Sequence, residues 1–228
     1  MFKGLRTLLA VLVVLGLVTV AGCGAKETPT STKENTTQTM EVAGVSKESP
    51  IKVNKEEGTV TFLGAINAKY LYETTRHGIV FEGGSNGDKA IFKAFATPEA
   101  FYNAVKEIGG NPGNNMTGKN KEQTQVQGDI LDVVVTWEGA DKEYSLNELI
   151  IDSNNKPLKM RFGGNLETAL NVKTGCLFCL DSCPAGIASN SNYTYGAVET
   201  RKEVKYSGNK DVLPSDGTPL AFKVKVKK

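Results

Sequence analysis

Several stretches of the chain alternate apolar and polar positions with a period of two, the pattern of a strand with one side in a core and the other in water. Leu158, Met160 and Phe162 fall on one side, with Lys159 and Arg161 on the other. In Ile130–Trp137, Leu131, Val133, Val135 and Trp137 share a face, while Ile130 and Val134 stand beside Asp132 and Thr136 on the opposite one. That second face is half apolar, so this strand is predicted to be central. Thr59–Ile66, Gly78–Glu82 and Ala90–Phe95 supply further strands, as does the pair Val204 and Tyr206. In the terminal FKVKVKK, Phe222, Val224 and Val226 alternate with Lys223, Lys225 and Lys227. The tail reads as a half-buried last strand with its lysines outward, membrane contact being the alternative.

A period near 3.6 appears after Thr97. Thr97 can cap a helix, Pro98 suits its first position, and Glu99 complements the dipole. Phe101, Ala104, Val105 and Ile108 then form one apolar stripe, and Gly109–Gly110 stop it. A shorter helix is predicted from Asn165, as cap, to about Asn171, with Leu166, Ala169 and Leu170 inward. Ser145–Glu148 has the form of a capping box, although Leu149-Ile150-Ile151 could equally be a strand. Together these elements predict an α+β fold, a mainly antiparallel sheet with one or two packed helices.

The glycine-rich GGSNGDK at 83–89 does not make a phosphate loop, because Asp88 stands where the second glycine should precede lysine and no helix follows. Asn86-Gly87, lying between Ile79-Val80-Phe81 and Ala90-Ile91-Phe92, predicts a hairpin turn instead. NPGNN at 111–115 reads as a loop after the first helix, with ligand contact as its functional alternative.

Residues 1–22 have the parts of an export signal: Lys3 and Arg6 form a short basic start, followed by an apolar run from Leu8 to Val20 that is short for a permanent span. Val20-Ala21-Gly22-Cys23 resembles the lipobox of bacterial lipoproteins, so Cys23 is expected to be the lipid-bearing first residue of the mature protein, anchored to the membrane outside the cytoplasm. Residues 24–50 are rich in Thr, Ser, Glu and Lys and read, with Cys23, as a disordered tether. A single domain is then expected over 51–228. A formal net charge of +2 with dispersed lysines gives no footprint for nucleic acid.

The chain has four cysteines, and three of them, Cys176, Cys179 and Cys183, lie in TGCLFCLDSCPAG at 174–186. Such a cluster can hold a soft metal, trade disulfides or serve only structure. For a metal, His77, the one histidine, is the candidate fourth ligand, with Asp181 as a second acceptor or simply a turn residue. A single histidine excludes two-histidine metal sites, and no Gly-x-Ser-x-Gly elbow is present. The chain therefore reads as an electron-transfer or binding protein more than as an enzyme.

HGIVFEGGSNGDKAIFKAF, IGGNPGNN, VVVTWEGADKEY, RFGGNLETA and TGCLFCLDSCPAGIASN together resemble the YdjY-type domain, a family described as ferredoxin-like. The resemblance covers Ile51 to about Asn192 and implies an iron-sulfur centre on Cys176, Cys179 and Cys183 and an accessory electron-transfer role beside a redox enzyme partner. The order C-x2-C-x3-C-P of Cys176, Cys179, Cys183 and Pro184 matches the last three cysteines of a bacterial ferredoxin run, with Lys173 where the first would stand. In that run the final cysteine serves a second cluster, for which this chain has no ligands, so zinc or no metal remain alternatives. Export without adjacent arginines also favours thiol or disulfide chemistry in an oxidising compartment, in a metal-free surface binding lipoprotein.

Overall fold

The computed structural model describes residues 40–227. Cys23, the expected export signal and residues 24–39 lie outside the described residues. Ordered structure begins earlier than Ile51: β1 (Glu41–Val42) and β2 (Val45–Ser46) form a small hairpin. Ala43 and Gly44 both take positive φ there, as a two-residue primed turn requires. Val45 is buried with Leu63 and Ala221, and Met40 and Val42 pack against them, so a few apolar residues inside a polar stretch suffice to dock it.

The remaining elements are β3 (Ile51–Asn54), β4 (Thr59–Ile66), β5 (His77–Phe81), β6 (Ala90–Ala94), α1 (Pro98–Glu107), β7 (Ile130–Thr136) and β8 (Tyr144–Ser145). They continue with α2 (Leu146–Leu149), β9 (Ile150–Asp152), β10 (Met160–Arg161), α3 (Leu166–Val172), β11 (Cys176–Cys179), β12 (Ala188–Asn190), β13 (Tyr206–Gly208) and β14 (Pro219–Lys227). Thr97 caps α1 through a bond from the Ala100 N–H at 3.1 Å. The Ser145 capping box and the strand reading of the next residues are both realised, as α2 and β9.

The α+β expectation is overturned by the sheet. Strands follow the order β10-β12-β11-β5-β6-β4-β14-β7, and β7 pairs back onto β10 through Ile130 and Arg161, closing a ring of eight. The described residues are mostly β, a closed barrel with three short helices among them, and not a ferredoxin-like sandwich. Two neighbouring pairs, β5–β6 and β11–β12, are parallel. Closure leaves the ring with no free edge, and eight strands enclose a space that side chains can fill.

The alternation read from the sequence selects what fills it. Val60, Phe62 and Ile66 of β4, Leu131, Val133 and Val135 of β7, and Phe222 and Val224 of β14 all join the main core. The Phe62 ring lies 4.9 Å from Phe222 and 5.4 Å from Phe101, which α1 contributes. Gly64 faces the same space: a Cβ there would sit 2.6 Å from both Phe222 Cε2 and the Lys93 carbonyl oxygen. The stacked phenylalanines therefore need that glycine.

Three local expectations are corrected. Asn86-Gly87 does not turn a hairpin, since β5 and β6 run parallel. The chain between them folds back through a 3-10 turn at Gly87–Lys89, held by Asn67 Nδ2 donating to the Asp88 and Ala90 carbonyls. Leu170, expected inward on α3, is 43% exposed, because α3 buries Ala169 alone. Asn165 precedes α3 but its side chain makes no cap bond; it is used elsewhere, as described next.

Candidate functional site

In a regular strand, residues three apart face opposite ways. Cys176 and Cys179 are three apart, yet both sit outside the main core with Val80, Ala90, Cys183 and Ala185. Leu177 and Phe178, between them, enter the main core. The cause is in the pairing of β11 with β5, which shifts register between Cys176 and Phe178 and again between Phe178 and Cys179. Such an irregularity re-aims side chains, and here it turns both sulfurs to one side.

Cys183 returns to the same place through the turn that follows. Ser182 Oγ accepts from the Val126 N–H at 3.0 Å, and the Ile187 N–H donates to the Cys176 carbonyl at 3.2 Å. Asn165 Nδ2 donates to the carbonyls of Cys183 and Gly186 at 3.2 and 3.3 Å. Asn165 holds a left-handed φ of 47°, which asparagine tolerates. Its amide thus fastens the cysteine turn instead of the helix. Pro184 ends the segment in the cavity wall.

The three thiols form a row. Cys179 is in the middle, close enough to Cys176 and to Cys183 to act on the ionisation of each, and all three are free thiols. His77 extends the row, its Nδ1 lying 3.6 Å from Cys176 Sγ. Cys179 also stands in register with His77 on β5 and with Ser189 on β12. A Cβ at Gly186 would lie 2.8 Å from Ser189 Oγ and 2.9 Å from Cys179 Sγ, so that glycine lets the turn close over the middle sulfur. Ser189 Oγ and Thr174 Oγ1 are buried with no hydrogen-bond partner among the described residues.

The row is electrically uneven. The bond from Cys179 lowers Cys176 well below the ordinary thiol value against the opposing effect of burial, and His77 adds to it. The same thiol lowers Cys183 to about 7; burial opposes this and the Arg76 charge reinforces it. Cys179 itself is raised, because either neighbour can hold its proton and burial disfavours its charged form. One S–H proton can be given to only one acceptor at a time, so the thiolate resides at one end of the row while the centre stays protonated. Alkylation of Cys183, followed on its own peptide, should therefore be half-maximal near pH 7, rising with pH at least one unit below an ordinary thiol.

Behind Cys183 lies an ion pair that spacing could not have revealed. Arg76 donates from Nε to Asp181 Oδ1 at 3.0 Å and from Nη2 to the same oxygen, and Asp181 Oδ2 accepts from the Gly196 N–H at 3.0 Å. Arg76 and Asp181 are 6% and 0% exposed. Burial works to lower the guanidinium, but Asp181, Cys183 and Cys179 hold it above its ordinary value, so it stays charged. Asp181, in the bend that follows β11, is a buried counter-ion.

Cys176, Cys179 and Cys183 are donors of the soft type that zinc or iron takes. A tetrahedral zinc site needs donors around one point. Among the described residues no three His, Cys, Asp or Glu side chains close around such a point. His77 meets one end of the row only, through Cys176.

The thiols open onto a cavity of about 460 Å³. Cys176 and Cys183 line it together with Arg76, Lys89, Lys121 and Tyr195, while Cys179 is set behind. Arg76, Lys89 and Lys121 carried no sequence signal, because Arg76 is 105 positions from its partner and the two lysines are two among many.

A family model described as the YdjY domain matches residues 51–225. The Escherichia coli (strain K12) protein titled "Uncharacterized protein YdjY" is 52% identical over 218 residues, covering 95% of this chain and 94% of that one. No solved structure matches the chain.

Proposed function

The chain belongs to the YdjY domain family, and from the thiol row it carries we propose a site for thiol-disulfide exchange, a two-electron dithiol centre rather than an iron-sulfur one. The observation that supports this is the position of Cys179, buried in one cluster with two cavity-lining thiols of lowered pKa. Exchange needs a thiolate that can attack and a second thiol close enough to release the product. In the cycle the Cys183 thiolate attacks one sulfur of a substrate disulfide and expels the other half as thiolate. The Cys179 thiol then attacks the Cys183 sulfur, its proton passing to the departing thiolate. The protein gains a Cys179–Cys183 disulfide, and the substrate gains two electrons and leaves as one thiolate and one thiol. Cys176 can take the place of Cys183, since the same central thiol acts on its ionisation.

The same reading takes the protein as an extracytoplasmic lipoprotein held by Cys23, where disulfides persist and a partner oxidoreductase reduces the pair. The test uses mature protein purified without oxygen and stripped of metal. A small disulfide should remove two of its three buried thiols, leave a mass lower by two hydrogens, and add no retained adduct. Three thiols still open to alkylation afterwards, or stoichiometric uptake of iron and sulfide on reconstitution, would remove the reading.

A further inference from the structure

The wall of the cavity that faces the thiols carries more positive than negative groups. Arg76, Lys89 and Lys121 line it, Glu199 is the one carboxylate among its lining residues, and His77 sits beside Cys176. Two of the cations are fixed in place. Arg76 Cζ lies 4.2 Å from the centroid of the Tyr195 ring and Lys121 Nζ 4.1 Å from the same centroid. The Tyr195 N–H also donates to the Lys121 carbonyl at 3.2 Å, and Lys89 Nζ donates to Asn86 Oδ1 at 3.0 Å.

Arg76 is the telling member. It is 6% exposed, yet its hydrogen bonds go from Nε and Nη2 to one oxygen of Asp181, leaving Nη1 without an acceptor among the described residues. A guanidinium edge held by a buried carboxylate on one side and unpartnered on the other is a fork for an oxyanion such as a carboxylate. Thr174 Oγ1, another group without a partner, belongs to the same cavity wall. A thiolate by itself repels anions, so cations around it decide which reagents approach.

Resting on the exchange reading above, we propose that this cavity selects small disulfides bearing carboxylates, with Arg76 Nη1, Lys89 and Lys121 holding the carboxylates while the disulfide lies against Cys183 and Cys176. Binding in this way brings the electrophilic sulfur to the thiolate and offsets the charge repulsion between them. The chemistry is the exchange already written: one sulfur-sulfur bond is broken in the substrate, one forms between Cys179 and its neighbour, and one thiolate and one thiol leave.

Three disulfides of similar size test it on the full mature protein at low ionic strength: dithiodipropionate, hydroxyethyl disulfide and cystamine, which are anionic, neutral and cationic. The anionic reagent should consume the protein thiols at least about tenfold faster than the cationic one, the reverse of the order for an isolated thiolate. Salt near about 0.5 M should shrink that ratio, and so should the double variant Lys89→Gln/Lys121→Gln, whose exposed and half-exposed side chains make it safe for folding. A wild-type ratio at or below one, or a ratio unchanged in the double variant, overturns the selection while leaving exchange in place. No reaction with any of the three removes the exchange reading and this inference with it.

Discussion

Cys179→Ser is expected to lower steady-state exchange by more than about a hundredfold, because release of the substrate half then depends on an outside thiol instead of one held in place. The first attack survives the change. Cys183 or Cys176 can still form a mixed disulfide, so the variant should accumulate a covalent adduct of one substrate half that intact-mass measurement detects. The wild type should show none. A serine fits the space of the cysteine, and fold loss would appear separately in circular dichroism. A variant that turns over at the wild-type rate would mean that Cys179 takes no part in release.

The second large effect is on stability. Asp181→Asn leaves the Arg76 guanidinium buried without its carboxylate, and below pH 7, where the Cys183 thiol is protonated, the cost of such an unpaired charge is about 3–5 kcal/mol. The denaturant midpoint should fall accordingly, with the slope of the transition unchanged. The pair as a whole is a different matter: Arg76→Met/Asp181→Leu removes both charges and should recover most of the loss, since a buried pair gains little over a packed apolar one. A single variant as stable as the wild type would mean that water reaches the pair.

How much of this could be read beforehand depends on which physical signal each feature leaves in the sequence. Thr59–Ile66, Ile130–Thr136 and the terminal strand were legible because each sets apolar residues against a core at a period of two. The Thr97 cap and Pro98 were legible because capping is local chemistry. Alternation describes the faces of a strand and not its neighbours, so the pairing of Ile130 with Arg161 that closes the barrel left no trace. The same gap turned the parallel β5–β6 pair into an expected hairpin.

The site follows the same division. Spacing drew attention to Cys176, Cys179 and Cys183, and His77 stood out as the one histidine; the three cysteines fall in one buried cluster, with His77 Nδ1 3.6 Å from Cys176 Sγ. The irregularity in β11 that aims Cys176 and Cys179 the same way has no turn residue to mark it, since CLFC is uniformly apolar. Asn165 looked like a helix cap because a cap and a carbonyl-binding amide use the same residue type. Arg76 and Asp181 were hidden by a separation of 105 positions.

The most direct check is to map the bridge that forms when the reduced, metal-free protein is oxidised by a small disulfide. Peptide analysis should find Cys179 joined to Cys183 or to Cys176, with the remaining thiol free. A bridge between Cys176 and Cys183 that bypasses Cys179 would contradict the account.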